Sequence, residues 1–348
     1  MYITELKTKG FRNLKPDIFK PSKAINVLLG KNGAGKTSLL EAIYLCSMGA
    51  SHRQSTMDGL ITNGQDFASV SCSYMRNDLR RDISIYLADG QKKIAVNGSP
   101  IKKRSELIGR LPAVMFSPDD LNLVKGSPSN RRKYMDKGLA QLSPKYYLAL
   151  NRYYAALKNR NADLKQGGKA LDAWNEQLIA YGVSINNQRL EYVNALNALT
   201  AKSHRLISAK EKTMLSLDTD KRLFTNEGYA KMLADAKERD LRFGSTGTGP
   251  HKDDIDISIG GKDAKIYASQ GQQRTIAIAM KLAELFYLKE AIGESPVLLL
   301  DDVMSELDKS RQQKLMEQIE GVQAFITTTH LELSHKGEVF TVSNGTIT

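Results

Sequence analysis

Cysteine is scarce: the 348 residues contain two, Cys46 and Cys72. Neither has a partner at metal-ligand spacing, which excludes a zinc site and a disulfide framework. Such a chain suits a reducing cytoplasm. Long apolar runs are also missing. None approaches the roughly twenty residues that cross a bilayer, and the opening Met1-Tyr2-Ile3-Thr4-Glu5-Leu6-Lys7 has no apolar signal region. The expectation is a soluble, cytoplasmic protein. No internal repeat or low-complexity segment is visible. Acidic residues fall short, with 38 Asp and Glu against 50 Lys and Arg and a net charge of +12. That excess suits a polyanion partner, either nucleic acid or an acidic membrane surface. What is present is otherwise ordinary: 41% hydrophobic and 25% charged residues can bury a real core in two domains, or in one large domain with an insertion.

One motif stands out. Gly30-Lys31-Asn32-Gly33-Ala34-Gly35-Lys36-Thr37 fits G-x-x-x-x-G-K-[ST] at every fixed position. Glycines let such a loop wrap so that backbone N–H groups face the α- and β-phosphates of a nucleotide. Lys36 can reach the β/γ-phosphates, and the Thr37 hydroxyl can serve Mg²⁺. The context agrees: Ala24-Ile25-Asn26-Val27-Leu28-Leu29 reads as a buried strand. The residues from Ser38 to Leu45 read as a helix whose positive end faces the loop.

Along the chain, residues 2–9, 24–29, 67–76, 81–88, 92–97 and 113–116 read as strands, with Asp89-Gly90 as a hairpin turn. From Ser129 to Leu215 the pattern is helical, divided at Gly167-Gly168, and a further helix lies near 228–239. Strands resume at 254–259, turn at Gly260-Gly261 and return through Ala264–Tyr267. A helix over 272–290, a buried strand over 296–301, a helix near 310–319 and a strand over 324–328 follow. The fold class is α/β with a helical insertion: a body of residues 1–125 plus 241–348 and an arm of 126–240. The arm carries 20 Lys and Arg against 12 Asp and Glu, so a third of the chain holds two-thirds of the net charge.

Leu298-Leu299-Leu300-Asp301-Asp302 is an apolar strand ending in two carboxylates. The first can hold Mg²⁺ beside the phosphates, and the second can polarise an attacking water. Upstream, Ser269-Gln270-Gly271-Gln272-Gln273-Arg274 opens a helix, with Ser269 as its N-cap and Gly271 allowing close approach to a phosphate. Downstream lie Ser305-Glu306-Leu307-Asp308 and Thr327-Thr328-Thr329-His330.

In this order the motifs resemble an ABC-type ATPase split by an insertion, as in the SMC-like proteins of DNA repair. Gly10-Phe11-Arg12-Asn13-Leu14, Phe116-Ser117-Pro118-Asp119-Asp120-Leu121, Lys125-Gly126-Ser127-Pro128 and Gly249-Pro250-His251-Lys252-Asp253-Asp254 extend the likeness over nearly the whole chain. The resemblance implies a P-loop ATPase head of mixed sheets and flanking helices, with a helical arm. It implies that Gly30 to Thr37 bind ATP and that Thr37 and Asp301 serve Mg²⁺. Lys36, Asp302 and His330 become catalytic, His330 as the γ-phosphate switch. Ser269, Gly271 and Gln272 would face the nucleotide of a second copy in an ATP-dependent homodimer. Two positions depart from the pattern: Asp302 is one methylene shorter than the usual glutamate, and Gln270 replaces a glycine. Both imply slow hydrolysis, with ATP as a clamp and hydrolysis as release. The resemblance further implies double-stranded and gapped DNA as partner, together with recombination mediators and a recombinase.

The basic arm suits a surface that tracks the DNA backbone, with candidates Arg131, Arg132, Lys133, Lys158, Arg160, Lys202, Arg205, Lys210 and Lys212. No module for reading base edges is visible, so phosphate and shape recognition are expected. Two other classes share some features. A membrane transporter's nucleotide-binding subunit would have a compact helical subdomain in place of the basic arm. A structural, chromosome-bridging SMC-like head would need a long coiled coil of sustained heptads, and a third reading, a nucleotide-gated scaffold without meaningful hydrolysis, is separated by single-turnover ATPase kinetics.

Overall fold

The computed structural model describes residues 1–53, 56, 58–208, 211–330 and 337–348. Along the chain, β1 (Tyr2–Lys9), β2 (Asp17–Phe19) and β3 (Ile25–Leu29) lead into α1 (Lys36–Met48). Next come β4 (Phe67–Arg76), β5 (Leu79–Ala88), β6 (Gln91–Val96), β7 (Ser99–Ile101) and β8 (Ala113–Phe116). The helices α2 (Asn122–Lys125), α3 (Pro128–Leu142), α4 (Pro144–Lys165) and α5 (Leu171–Ser208) follow. They are succeeded by β9 (Thr213–Asp218), α6 (Asn226–Asp235), α7 (Lys237–Phe243), β10 (Asp254–Ile259), β11 (Lys262–Asp263), α8 (Ala264–Tyr267) and α9 (Gln270–Ile292). Last come β12 (Val297–Leu300), α10 (Lys309–Gln318), β13 (Ala324–Thr328), β14 (Glu338–Ser343) and β15 (Thr346–Ile347).

The chain divides into two compact units, Met1–Asp120 with Glu284–Thr348, and Leu121–Ala283. The second unit takes in, beyond residues 126–240, the helix α2, the strands β10 and β11 that complete a sheet with β9, the turn α8 and the start of α9.

The first unit contains two six-stranded sheets. One has the order β2-β1-β4-β5-β6-β7, and the other β15-β14-β3-β13-β12-β8. In the second, β3 pairs in parallel with β13 and β14, and β12 with β13 and β8. Parallel strands are covered on both faces and therefore carry unbroken apolar runs. Val-Leu-Leu-Leu of β12 and Ala-Phe-Ile-Thr-Thr of β13 are buried at every position. The first sheet is antiparallel, and β5 alternates buried Ile83, Ile85 and Leu87 with exposed Ser84 and Tyr86. Its buried face joins α1 in one core cluster that includes Leu40, Ile43, Val70 and Ile85.

In the second unit α4 and α5 form a helical hairpin. Its turn uses Gly167 and Gly168 at φ +93° and +70°, a region that favours glycine. Buried arginines tie the unit together. Arg189 Nη1 donates to Asp253 Oδ2 at 2.8 Å and to the Pro250 carbonyl at 2.6 Å, and Nη2 donates to Asp136 Oδ1 at 2.8 Å. His251 lies in the same loop. Its Nε2 is 3.0 Å from the Thr246 carbonyl and must carry the proton, so Nδ1 accepts from the Tyr153 hydroxyl at 2.7 Å. Burial pushes the His251 pKa down to about 4, against the opposing Thr246 carbonyl.

Three expectations are corrected. Helix does not reach Leu215, because Thr213–Asp218 is a strand paired with β10, with Leu215 opposite Ile257. That pairing partner lies some forty residues on, outside any local pattern. The segment Ala264–Tyr267 is a helical turn, not a strand, since the Asp263 side chain caps the Lys265 N–H at 2.7 Å and ends β11 after two residues. The single helix near 228–239 is two, broken at Ala236.

Candidate functional site

The carboxyl ends of β3, β12 and β13 lie side by side, because these strands run parallel in adjacent positions. The segments that follow them, Gly30–Thr37, Asp301-Asp302 and Thr327-Thr328, are therefore neighbours, and such strand ends are where open parallel sheets bind ligands. They border a cleft of about 610 Å³.

The loop depends on glycine at two places. A Cβ on Gly30 would sit 2.2 Å from the Val342 carbonyl oxygen of β14, and Gly35 caps α1 at φ +114°. No acidic side chain occupies the first turn of α1, so its N–H groups present an uncancelled positive end. Lys36 folds back, and its ammonium donates to the Gly30 carbonyl at 2.6 Å and the Lys31 carbonyl at 3.0 Å. Burial lowers its pKa, while the charges of Asp302 and Asp301 oppose that shift. Asn32, Gly33, Gly35, Lys36 and Thr37 line the cleft. Gly30, Lys31 and Ala34 do not line it; the first two hold Lys36 through their carbonyls, and the Ala34 carbonyl accepts the Gly345 N–H at 2.8 Å.

Opposite the loop, Asp301 Oδ1 accepts from the Thr37 hydroxyl at 2.8 Å and the Thr327 hydroxyl at 2.9 Å. The Asp302 N–H donates to Thr327 Oγ1 at 2.8 Å, and Asp302 takes φ +53°. That left-handed kink turns the chain sharply after the buried strand and leaves Asp302 exposed on the cleft wall. Thr37 and Asp301 are thus brought together across 264 residues of sequence.

A third wall comes from residues outside the phosphate loop and the acidic strand end. Asn13 donates to the Gly33 carbonyl at 2.8 Å and accepts from the Ser38 hydroxyl at 2.7 Å. Arg12 lies at φ +54° and holds Glu41 with two bonds of 2.8 and 2.7 Å. Burial pushes the Glu41 carboxyl up, but its bonds to Arg12 and Ser51 outweigh this and hold it below the usual carboxylate range. Arg53, Ile61, Thr62, Asn63 and Thr327 also line the cleft. They follow no fixed spacing; a Thr at the end of a buried strand is the one signal that could have pointed to Thr327.

The remaining expected residues are not part of this cleft lining. His330 is exposed, and residues 331–336 lie outside the described ones. Ser269, Gly271 and Gln272 belong to the second unit. There Ser269 Oγ accepts from the Gln272 N–H at 3.3 Å, and Gln272 Oε1 accepts from the Ser269 N–H at 2.7 Å. This reciprocal box starts α9, with Ser269 and Gln270 exposed.

The family model for the RecF/RecN/SMC N-terminal domain matches residues 2–345. DNA replication and repair protein RecF of Geobacillus sp. is 37% identical over 369 residues, covering 100% of this chain and 99% of that one. RecF of Clostridium novyi is 39% identical over 361 residues, covering 100% and 99%. The chain belongs to the RecF family. A solved structure of the recombination mediator protein RecF-ATP in the RecFOR pathway superposes with TM-score 0.92 at 36% identity, covering 100% of this chain and 97% of that one. An Smc head domain from Pyrococcus furiosus superposes with TM-score 0.61 at 18% identity, covering 99% and 95%; at that identity it shows the fold alone.

Two arm residues expected to meet DNA are otherwise engaged in this RecF-family chain. Arg131 is 6% exposed and grips Asp254 with bonds of 2.6 and 2.7 Å. Arg160 is fully buried and donates to Asn175, Asp240 and Thr246 at 2.8 Å each. An arginine among buried carboxylates reads, in sequence, like one on a solvated face. Arg132 donates to the Asp253 carbonyl at 2.7 Å. Lys133, Lys158, Lys202, Arg205 and Lys212 are exposed, and Lys210 lies outside the described residues.

Proposed function

We propose that this chain is a DNA replication and repair ATPase that binds ATP with Mg²⁺ in the cleft between Gly30–Thr37 and Asp301-Asp302. Nucleotide binding pairs it with a second copy on double-stranded or gapped DNA, and slow hydrolysis releases it. The observation that carries this reading is the meeting of Lys36, Thr37 and Asp301 at the carboxyl ends of the parallel strands. In the family, RecF acts in replication and repair, and a RecF-ATP structure superposes over the whole chain.

The Thr37 hydroxyl and Asp301 carboxylate are hard oxygen donors, and two such groups plus nucleotide phosphates suit Mg²⁺. Bound there, the ion would neutralise charge developing on the phosphates. Lys36 would exchange its two loop carbonyls for β/γ-phosphate oxygens, and the N–H groups around Gly33 and Gly35 would hold the α- and β-phosphates. Asp302 would orient the attacking water and His330 would meet the γ-phosphate. Ser269, Gly271 and Gln272 would close over the nucleotide of the second copy, so that each site takes residues from both chains. The exposed Lys133, Lys158, Lys202, Arg205 and Lys212 would follow the phosphate backbone of DNA, delivering the protein to gaps where recombination mediators and a recombinase act. The comparisons do not favour the transporter-subunit or scaffold alternatives.

Sedimentation velocity with ATP, ADP or no nucleotide, each with and without duplex DNA, tests this. ATP should convert monomer to dimer, and Asp302→Asn should hold the dimer by blocking hydrolysis. An Asp302→Asn protein that stays monomeric with saturating ATP refutes the clamp.

A further inference from the structure

The antiparallel sheet of the first unit has a solvent face outside the ATP cleft. Its register builds a row across four strands: Lys9 of β1 lies opposite Ser69 of β4, Ser69 opposite Tyr86 of β5, and Tyr86 opposite Lys93 of β6. At roughly 4.8 Å per strand, the two lysines stand about 14 Å apart with the tyrosine between them. The next row on the same face reads Lys7, Ser71, Ser84 and Ala95.

Tyr86 is 42% exposed on this face. It is not isolated. Its ring stacks on Phe67 with centroids 5.5 Å apart and planes at 24°, and the Lys9 ammonium lies 5.1 Å from the Phe67 centroid. Phe67 thus braces one face of the tyrosine ring, and Lys9 in turn sits against Phe67. Apart from Phe67 on one side of the ring and Lys93 on the adjoining strand, the positions around it on this face include Ser69, Ser71, Ser84 and Ala95, too short to wall it off. An exposed aromatic backed by a second ring, among short side chains and flanked by cations and hydroxyl donors, is the chemistry that receives an unpaired base and its phosphates. A duplex offers no open base face to such a surface.

The geometry points to this sheet face as a platform for single-stranded nucleic acid, with a base stacked on Tyr86 and backbone phosphates on Lys9 and Lys93. It extends the proposed DNA-binding function to a site separate from the ATP cleft and the basic arm, and its test separates the two.

Fluorescence anisotropy of labelled oligothymidylate with the full-length protein reads the single strand, and a duplex of equal length with ATP reads the other mode. Tyr86→Ala should weaken oligothymidylate roughly fivefold or more, as loss of one stacked base does, and leave duplex binding unchanged. Lys9→Ala with Lys93→Ala should reduce the salt slope for oligothymidylate by about 1.4. Circular dichroism melting checks that each variant is folded. Unchanged oligothymidylate affinity in folded Tyr86→Ala overturns the platform while leaving the duplex reading intact. Equal loss on both substrates overturns it too.

Discussion

Replacing Arg189 with methionine tests how the second unit is held together. The guanidinium is fully buried and bonds Asp136, Asp253, the Pro250 carbonyl and the Tyr146 hydroxyl. Methionine keeps much of the side-chain volume but removes every donor. Asp136 retains the Tyr146 hydroxyl at 2.5 Å and is 15% exposed. Asp253 is 2% exposed and is left with the Thr219 hydroxyl at 2.6 Å. Breaking one side of a buried pair costs about 3 to 5 kcal/mol, and Asp253 carries most of it. Burial already raises the Asp253 pKa, with Arg189 the foremost opposing group, so its loss raises that pKa further. For an acid whose folded pKa is raised, the penalty is full above that pKa and fades as pH falls through it. The gap between wild type and Arg189→Met should therefore be widest at neutral pH and narrow toward pH 5. Adding Asp253→Asn should recover part of the loss. The chain's one tryptophan, Trp174, lies on α5 of the same unit, so its fluorescence in urea titrations reports the right transition. A loss below about 1 kcal/mol, or one independent of pH, would refute this account of the buried network.

Two further outcomes follow from the same geometry. Lys36→Ala should weaken ATP binding about 10- to 100-fold, the value of one or two charged hydrogen bonds to phosphate, and abolish ATP-dependent dimerisation; calorimetry and sedimentation check both. His251 should make the protein acid-sensitive. Its folded pKa is about 4 against an ordinary 6.5, so the unfolded chain takes up a proton first as pH falls. Stability should drop by about 2 to 3 kcal/mol between pH 7 and pH 4.5, and His251→Asn should flatten that loss in Trp174-monitored unfolding.

Much was legible in sequence because it is local. The apolar runs of β12 and β13, the glycine spacing of Gly30–Thr37 and the Asp89-Gly90 turn, at φ +52° and +67°, each follow from neighbouring residues. The sequence of motifs likewise indicated the family. β14 and β15 are not legible because a strand with mostly exposed residues, such as Glu338–Ser343, carries little apolar signal. β9 and α8 were misjudged because strand or helix there depends on β10 or on a capping Asp263.

By itself, then, the amino-acid order determined the phosphate loop, the acidic strand end and the excess of positive charge, since each rests on residue type and short spacing. Only tertiary structure decided which charges are available. Arg131, Arg160 and Arg189 look in sequence like the exposed lysines around them, but folding surrounds them with Asp254, Asp240, Asp136 and Asp253. Packing likewise set Thr327 and Asp301 against Thr37, and Tyr86 on Phe67, because register between distant strands, which no local pattern encodes, brings those atoms within reach.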